Sequence, residues 1–356
     1  MTARIAFASA IAAAGMSLAA AAPASAETFN LKVASGHPPG LHYVDLLHEW
    51  FIPELKERAK AKGHTVNVIE LYAGSAVKLS ETLEGVQHGI VDIGGMCYCF
   101  EPSDLMLHAF QVWLPFGTSD PELSVKIARS VYSQIPELPN TFNDKYNQTL
   151  LSLFGQDPYD IHAKFPVNSV ADVNGKKIGG AGPNLPWVGL AGSIAVQTTG
   201  AIVYNSLQTG VFDGAISFVS LSQGLKLYEL AKNYTKVGFG SITFHGVQIN
   251  NKSMAAMPPE MQAILTGLGK EFEEKSGGYV KGRLATGFKK MEEGGLIVSE
   301  LPAAEKAKWA SLLKAWPDER AKDVDSKGLP GSKTLKLTLE VAEKHGYKWP
   351  ERYVIK

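Results

Sequence analysis

Residues 86–92 read Val86-Gln87-His88-Gly89-Ile90-Val91-Asp92, and residues 207–213 repeat their pattern as Leu207-Gln208-Thr209-Gly210-Val211-Phe212-Asp213. In each stretch a helical segment ends at a glycine, which can take the positive φ of a helix C-terminus, and an apolar strand with an aspartate follows. We expect Asp92 and Asp213 to brace these strands. Similar units in both halves predict two lobes built alike with a cleft between them, although chance repetition is the alternative because glycine is common at helix ends.

Composition excludes several classes of protein. The chain has 356 residues, with 35 basic and 35 acidic side chains, so its formal net charge is zero. A balanced charge lacks the basic surface of proteins that bind nucleic acids or anionic membranes. Hydrophobic residues make up 45% of the chain, and its mean hydropathy is −0.04, which fits neither a disordered chain nor a multi-span membrane protein. The length predicts two domains.

The first 26 residues have the pattern of a secretory signal. Arg4 precedes an apolar stretch at 5–22, and Ala24 and Ala26 occupy the small-residue positions of a cleavage site. No twin-arginine pair is present, so we expect Sec export and cleavage after Ala26. A retained membrane anchor is the alternative. No later stretch of the sequence reaches the roughly 18–20 apolar residues that a membrane span requires.

Cys97 and Cys99 are the only two cysteines of the sequence. On an extended segment, alternate residues lie too far apart for relaxed disulfide geometry, so we expect no disulfide between them. The sequence places no histidine close to them, which makes a zinc site a poor fit. We expect small apolar wall residues, with a reactive thiol pair as the alternative.

Strand-like and helix-like segments alternate along the chain, which predicts an open α/β architecture. A helix is expected from His42 with a possible kink at Pro53, another at 80–88 with Ser80 as its N-cap, and a long amphipathic helix after Pro259. The tail from residue 303 reads as helical. Strands are expected at 31–34, 65–71, 90–93, 150–154, 176–178, 201–203, 215–218, 237–243 and 247–250.

Enzyme motifs are incomplete in this sequence. His48-Glu49 begins a zinc-protease pattern, but Ile52 stands where its second histidine belongs. The stretch at 180–185 begins like a dinucleotide-binding loop, but Pro183 stands where a helix should open. We therefore predict a protein that is not an enzyme and that uses no metal and no cofactor. A secreted hydrolase that uses Asp157 with a histidine of the cleft is the alternative.

Several short motifs together resemble the solute receptors of TRAP transporters, the DctP-like family. They are Leu31-Lys32-Val33-Ala34, Val173-Asn174-Gly175-Lys176-Lys177-Ile178, the 207–214 stretch, Tyr228-Glu229-Leu230-Ala231-Lys232-Asn233-Tyr234-Thr235 and Ile249-Asn250-Asn251. The resemblance spans about residues 29–300. It implies a periplasmic binding protein fold, with two α/β lobes joined by hinge strands and a long helix and a ligand cleft between them.

The same resemblance implies a periplasmic location, an organic acid as ligand, and an integral-membrane permease pair as partner. We expect residues 27–154 with about 245–285 to form lobe I. Residues 155–244 with about 286–356 are expected to form lobe II and a C-terminal helical tail. A ligand-presenting partner of a membrane sensor is a further alternative with the same fold.

The sequence departs from the family at its carboxylate-binding positions. Gly179 stands where the family usually carries an arginine, Ser217 where it carries an asparagine, and Phe218 where a proline follows. The two-point clamp on a carboxylate is therefore missing, and an anion needs another cation. A small organic anion, with an aromatic or otherwise apolar body, is the expected ligand.

Ligands of open α/β sheets bind beyond the carboxyl ends of strands and near helix N-termini. The loops at 35–42, 94–100, 155–157 and 179–187 meet that condition, and Lys78 and His245 lie in loops or helix starts. We expect cationic contacts from His37, Lys78 and His245 and an apolar face from Trp187 and Phe218. The alternatives are a turn-bonded His37, a solvated Lys78 and a core Trp187. The full candidate set is His37, Lys78, Tyr98, Gln156, Asn184, Trp187, Ser217, Phe218 and His245.

Overall fold

The computed structural model describes residues 26–356, so the predicted signal sequence lies almost wholly outside the described part. No helix within residues 26–356 is long and apolar enough to cross a membrane. The strands are β1 Thr28–Ala34, β2 Thr65–Leu71, β3 Ile93–Cys97, β4 Gln148–Phe154, β5 Pro158–Ala163, β6 Lys177–Gly180, β7 Ile194–Gln197, β8 Gly214–Ser217, β9 Asn233–Ser241, β10 His245–Asn250 and β11 Ile297–Glu300.

Fourteen helical segments of α or π type surround these strands in the described part of the chain. They are α1 His42–Leu46, a π-helical segment Leu47–Phe51, α2 Ile52–Ala61, α3 Thr82–Gln87, α4 Pro121–Gln134, α5 Glu137–Tyr146, α6 Leu185–Gly189, α7 Gly200–Gln208, α8 Val219–Gly224, α9 Asn251–Ala255, α10 Pro259–Glu293, α11 Ala303–Leu312, α12 Trp316–Asp325 and α13 Gly331–Lys344. Short 3-10 turns fill some of the connections.

The strands form two mixed sheets, one in each lobe, which confirms the predicted fold class. The first sheet has the order β2-β1-β3-β10-β4, with β10 antiparallel to both of its neighbours. The second sheet has the order β11-β9-β5-β8-β6-β7. The chain passes between the sheets at 155–157 and again at 242–244.

Helix α10 packs against both lobes and is the long helix that the sequence predicted. Its Gly269 lies against Leu151 of β4, where an added Cβ would be 2.3 Å from the Leu151 carbonyl oxygen. Nearer its C-terminus, Gly287 lies against Val219 of α8, where an added Cβ would be 2.6 Å from the valine side chain. Glycine at these two positions permits close approach of the helix to each lobe.

The repeated motif has the same structure in both lobes. Gly89 follows α3 with a φ of 70°, and Gly210 follows α7 with a φ of 77°. The carboxylate of Asp92 accepts the N–H of Lys32 on β1 at 2.8 Å, and Asp213 accepts the N–H of Lys177 on β6 at 2.8 Å. Both aspartates therefore tie the end of the motif to a neighbouring strand.

Some predicted elements differ in the structure. Residues 201–203 belong to helix α7, because a short apolar run fits a buried helix as well as a strand. Strand β3 begins at Ile93 and not at residue 90, since the N–H of Ile90 still bonds the carbonyl of Gly85. Ser80 is not an N-cap, because a 3-10 turn occupies Leu79–Glu81. Pro53 follows the π-helical segment, which widens the helix where proline offers no N–H.

Cys97 and Cys99 form a disulfide, so the prediction that they do not was wrong. That prediction assumed an extended segment, in which alternate Cα atoms lie roughly 6.6 Å apart. Strand β3 instead ends at Cys97, and a 3-10 helix begins at Tyr98. This turn brings the two Cα atoms to 5.2 Å, which suits a disulfide.

The C-terminal tail folds back onto its own chain. The indole N–H of Trp309 on α11 donates to the Trp187 carbonyl at 2.7 Å, and Trp309 is fully buried. The hydroxyl of Tyr353 donates to the Pro115 carbonyl at 2.9 Å. The tail therefore completes the core beneath helix α6.

Candidate functional site

An enclosed space of about 60 Å³, the inner cavity, lies between the two lobes. Its walls come from the ends of β1, β3, β6, β7 and β8, from the start of β10 and from α7 and α8. This is the strand-end position expected for a ligand of an open α/β sheet. The lining residues are His37, Leu41, Cys97, Cys99, Phe100, Tyr159, Gly180, Ala181, Asn184, Thr198, Thr199, Gly200, Val203, Ile216, Phe218, Leu221 and His245.

A second space of about 250 Å³, the outer cavity, adjoins the inner cavity. The two share His37, Leu41, Gly200 and Leu221 as lining residues. The rest of the outer cavity comes from the 36–40 turn, from Ala73 and Leu79, and from α8 with Leu225 directly after it. No lysine or arginine lines either of these cavities in the described part of the chain, so neither holds a permanent positive charge.

Two histidines, His37 and His245, are among the polar residues that line the inner cavity. Nδ1 of His37 lies 2.8 Å from the Tyr43 hydroxyl, which in turn lies 2.8 Å from the Ser35 hydroxyl. His245 is buried, and its Nδ1 has no hydrogen-bond partner among residues 26–356. The rings of His37 and His245 are 6.4 Å apart, so the structure brings both predicted residues to one wall.

Both cavity histidines are neutral at pH 7. Burial lowers the pKa of His37 to about 4. Burial, and to a smaller degree the nearby His37, lowers the pKa of His245 to about 3. A neutral imidazole presents one N–H donor and one acceptor nitrogen. In this conformation these residues therefore act as hydrogen-bonding groups and not as cations.

Aromatic rings form the apolar part of the wall. Phe218 is 8% exposed, and its ring lies 4.9 Å from the ring of Tyr159. Phe100 lies 5.6 Å from the ring of His37, on the side of the Cys97–Cys99 disulfide. Phe218 was among the predicted residues, whereas Tyr159 and Phe100 were not, although Phe100 ends the predicted 94–100 loop. Both missed residues follow strand ends or crossings, which is the signal that could have found them.

Asn184 lines the inner cavity and also shapes it. Its side-chain oxygen accepts the N–H of Ala181 at 2.9 Å, which closes the loop after β6. That loop contributes Gly180 and Ala181 to the same wall. Four of the nine predicted residues, His37, Asn184, Phe218 and His245, are therefore together in the inner cavity.

Tyr98 and Ser217 lie in the core and not on a cavity wall. The ring of Tyr98 packs 5.4 Å from Phe142, and its hydroxyl accepts a 2.6 Å hydrogen bond from the Gln248 amide. The hydroxyl of Ser217 lies 2.8 Å from that of Ser222 and has no exposed surface. Their hydrogen-bonding groups are already engaged inside the protein.

Trp187 is also a core residue, which corresponds to the alternative left open by the sequence. Its indole N–H donates to the Val112 carbonyl at 3.0 Å, and its ring stacks 5.0 Å from Phe239. Trp309 from the tail bonds the backbone carbonyl of Trp187 and packs its ring 5.4 Å from the same Phe239. Both sides of the indole are occupied by protein, so it offers no face to a ligand in this conformation.

Gln156 and Lys78 lie outside both cavities for opposite reasons. Gln156 is fully buried on the 155–157 crossing, and neither polar atom of its side chain has a partner among residues 26–356. The side chain of Lys78 is 77% exposed, and its ammonium lies 3.4 Å from Glu81. Lys78 is thus a solvated surface residue in this conformation.

Gly179 is tightly packed against two side chains. A Cβ added there would lie 3.0 Å from the ring of Phe212 and 3.1 Å from the methyl group of Thr198. Both distances are shorter than ordinary van der Waals contact. A side chain at position 179 would therefore require Phe212 and Thr198 to shift.

The arrangement around Asp157 argues against the hydrolase alternative. Asp157 is fully buried, lies 3.1 Å from Nδ1 of His42, and accepts a 2.6 Å hydrogen bond from the Ser220 hydroxyl. A serine nucleophile needs the histidine next to its hydroxyl, with the carboxylate behind it. Here the carboxylate stands between the two. This group joins α1 of one lobe, the crossing segment and α8 of the other.

Solved structures share this fold. A marine metagenome TRAP solute-binding protein specific for aromatic acid ligands, in complex with 3-hydroxybenzoate, is 21% identical, with a TM-score of 0.78 over 91% of this chain and 100% of its own. A TRAP solute-binding protein from Rhodoferax ferrireducens with copurified benzoate is 18% identical, with a TM-score of 0.78 over 89% and 98%. A Bordetella pertussis extracytoplasmic solute receptor binding pyroglutamic acid is 19% identical, with a TM-score of 0.76 over 88% and 99%.

Sequence comparison points to the same family. A solute-binding protein from Sulfitobacter sp. is 36% identical over 69 residues, a match that spans only about a fifth of either chain (19% of this chain and 21% of the relative). The family model for bacterial extracellular solute-binding proteins, family 7 (DctP), matches residues 48–323, which is well over half of the chain. The protein is therefore a member of this family of solute-binding receptors.

Proposed function

We propose that this protein is the periplasmic receptor of a TRAP-type importer and that its ligand is a small organic acid with an aromatic or otherwise apolar ring. The observation that carries the proposal is the inner cavity. It lies between the lobes and combines aromatic walls, Phe218 and Tyr159 among them, with the polar groups of two neutral histidines. Ligand sites are mostly apolar, with a few polar groups that fix orientation.

The ligand's apolar body lies against Phe218 and Phe100, which face the inner cavity from different lobes. Its polar groups bond His245, whose buried Nδ1 lacks a partner, and the side chain of Asn184. A ligand held by both lobes favours the closed arrangement over the open one. The permease then recognises the closed receptor.

The lobes that close are those proposed from the sequence. Residues 27–154 with about 245–285 move against residues 155–244 with about 286–356, about the crossings at 155–157 and 242–244. The solved relatives support the ligand class, since those described above hold 3-hydroxybenzoate, benzoate and pyroglutamic acid, each a small carboxylic acid with a ring. The protein binds and releases its ligand without chemical change, as a receptor and not as an enzyme.

A thermal-shift screen of residues 27–356 tests the ligand class. The panel contains benzoate, 3-hydroxybenzoate, pyroglutamate, succinate and a neutral polyol. A ligand at 100 times its Kd stabilises the folded state by about 2.7 kcal/mol. With an unfolding entropy of roughly 0.7 kcal/mol per kelvin for a chain of this length, we expect the Tm to rise by about 4 °C with a ring-bearing acid.

The variant Phe218→Leu tests the wall directly, with Phe288→Leu as its control. Phe288 lies on α10 and packs against Tyr234, outside both cavities. We expect Phe218→Leu to weaken the best acid about tenfold and the control to leave its affinity unchanged. Stabilisation by succinate or the polyol alone would contradict the ligand class. An unchanged radius of gyration in X-ray scattering on saturation would contradict closure.

A further inference from the structure

Arg320 lines a third cavity of the cleft region, which we name the Arg320 cavity. Its volume is about 680 Å³, and its walls come from the 182–186 loop, the end of β7, the 99–113 segment and helix α12. Besides Arg320, Gln197 supplies a polar side chain, and Trp113, Trp316 and Phe244 supply aromatic surface. No local sequence pattern pointed to this residue, because α12 lies far beyond the motifs of the cleft.

The Arg320 cavity adjoins the inner cavity. Cys99 lines both of them. Gly180 and Ala181 line the inner cavity, while the next two residues of the same loop, Gly182 and Pro183, line the Arg320 cavity. Similarly, Thr198 lines the inner cavity, and its neighbour Gln197 lines the Arg320 cavity. The two spaces are therefore separated only by a loop and by one strand end.

The guanidinium of Arg320 has unused donors. Its Nη1 bonds the Asp323 carboxylate at 3.3 Å, whereas its buried Nε has no partner, and no bond of Nη2 is found within residues 26–356. The Nε–Nη2 edge is one that binds carboxylates in bidentate fashion. Asp323 also lies 3.4 Å from Lys327, whose ammonium is 3.3 Å from the sulfur of Met106 on the same cavity wall. Two cations thus share one carboxylate here.

We infer that Arg320 binds the carboxylate of the ligand, so that the Arg320 cavity is the acid-binding part of the cleft and Gln197 is its second polar contact. This inference rests on the proposed function. Among residues 26–356, no lysine or arginine lines the inner or the outer cavity, and a carboxylate taken out of water needs a charged partner. Arg320 supplies that charge one loop away from the apolar walls. The ring of the ligand then lies toward the shared Cys97–Cys99 wall.

The test compares Arg320→Gln and Arg320→Lys with wild type by calorimetric titration of benzoate, 3-hydroxybenzoate and pyroglutamate. Benzamide, which has the same ring without the charge, is the uncharged probe. Lys322→Gln is the matched control, since Lys322 lies on the same helix and pairs with Asp318 away from the cavity. We expect Arg320→Gln to weaken the best acid ten- to hundredfold and to leave benzamide unchanged. The affinity of Arg320→Lys for the acid should lie between those of wild type and Arg320→Gln, because an ammonium cannot form the bidentate pair.

The outcomes separate the two proposals. Acid affinity retained within threefold in Arg320→Gln overturns the role of Arg320 while the proposed function stands. Equal losses for acid and benzamide also overturn it, since a purely structural effect does not depend on ligand charge. Failure of every acid to bind the wild type overturns the proposed function and this inference together. The Tm of each variant without ligand confirms that it is folded.

Discussion

Replacement of Asp157 by asparagine tests whether the buried group at the crossing holds the two lobes together. The carboxylate accepts a 2.6 Å hydrogen bond from Ser220 on α8 and lies 3.1 Å from His42 on α1. Asparagine keeps the shape of the side chain but removes its charge. The change therefore weakens contacts to both lobes at once, at a site with no access to water.

The expected loss can be worked out from these contacts. A hydrogen bond to a buried charged group contributes about 1.5–3 kcal/mol, and the weakened contact with His42 brings the loss to about 2–4 kcal/mol. The unfolding entropy of a chain of about 330 residues is roughly 0.7 kcal/mol per kelvin. We therefore expect Asp157→Asn to lower the Tm by about 3–6 °C.

Thermal unfolding of residues 27–356 followed by circular dichroism measures this change. Asp144→Asn is the control, because Asp144 is exposed on α5, and its Tm should stay within 1 °C of wild type. The double variant with Ser220→Ala should lose less than the two single losses added together, since both remove the same hydrogen bond. A Tm drop below 1 °C, or full additivity, would refute the reasoning.

Two further predictions concern packing and pH. Gly179→Ala should lower the unfolding free energy by about 1–3 kcal/mol in urea, because its Cβ would meet Phe212 at 3.0 Å. Gly267→Ala, with open space around it, is the control and should not destabilise; equal effects would contradict the packing argument. Burial lowers the pKa of His108 to about 3. Between pH 6.5 and pH 3 the His108 imidazole therefore binds a proton in the unfolded state but stays neutral in the folded state. The unfolding free energy consequently falls as the pH is lowered toward 3. Burial raises the pKa of Asp160 to about 7, which acts in the opposite direction. We therefore compare wild type with His108→Phe, whose unfolding free energy should fall less between pH 7.5 and 4.5. Parallel curves of unfolding free energy against pH for the two proteins would contradict this prediction.

Local sequence signals predicted the framework of the fold. The two glycines of the repeated motif take positive φ, and the aspartates that follow brace neighbouring strands in both lobes, as expected. The apolar spacing after Pro258 predicted the long helix, whose Leu265 and Phe272 are buried. These features depend on backbone conformation and on the periodicity of one segment. Both are set by residues close together in the chain.

Position at a strand end was enough to place part of the candidate site. His37, Phe218 and His245 follow or begin strands, and all three line the inner cavity. The same reasoning failed to place Trp187 because it does not show which faces of a loop are already covered. That indole is buried against Val112 and Phe239, and a tail helix more than 100 residues away bonds the Trp187 backbone carbonyl through Trp309.

Only the tertiary structure decided the remaining features. A turn at Tyr98 joins Cys97 to Cys99, where an extended segment would have kept them apart. Arg320 on helix α12 lines the same cavity as the loop after β6, although the two segments are more than 100 residues apart in the chain. The sequence by itself determined most of the helices and strands, since those preferences arise between near neighbours, but not the helix at 201–203 or the turn at Tyr98. The side chains that meet in the cleft come from segments distant in the chain. They are brought together by the packing of those segments, which the burial of the whole core decides.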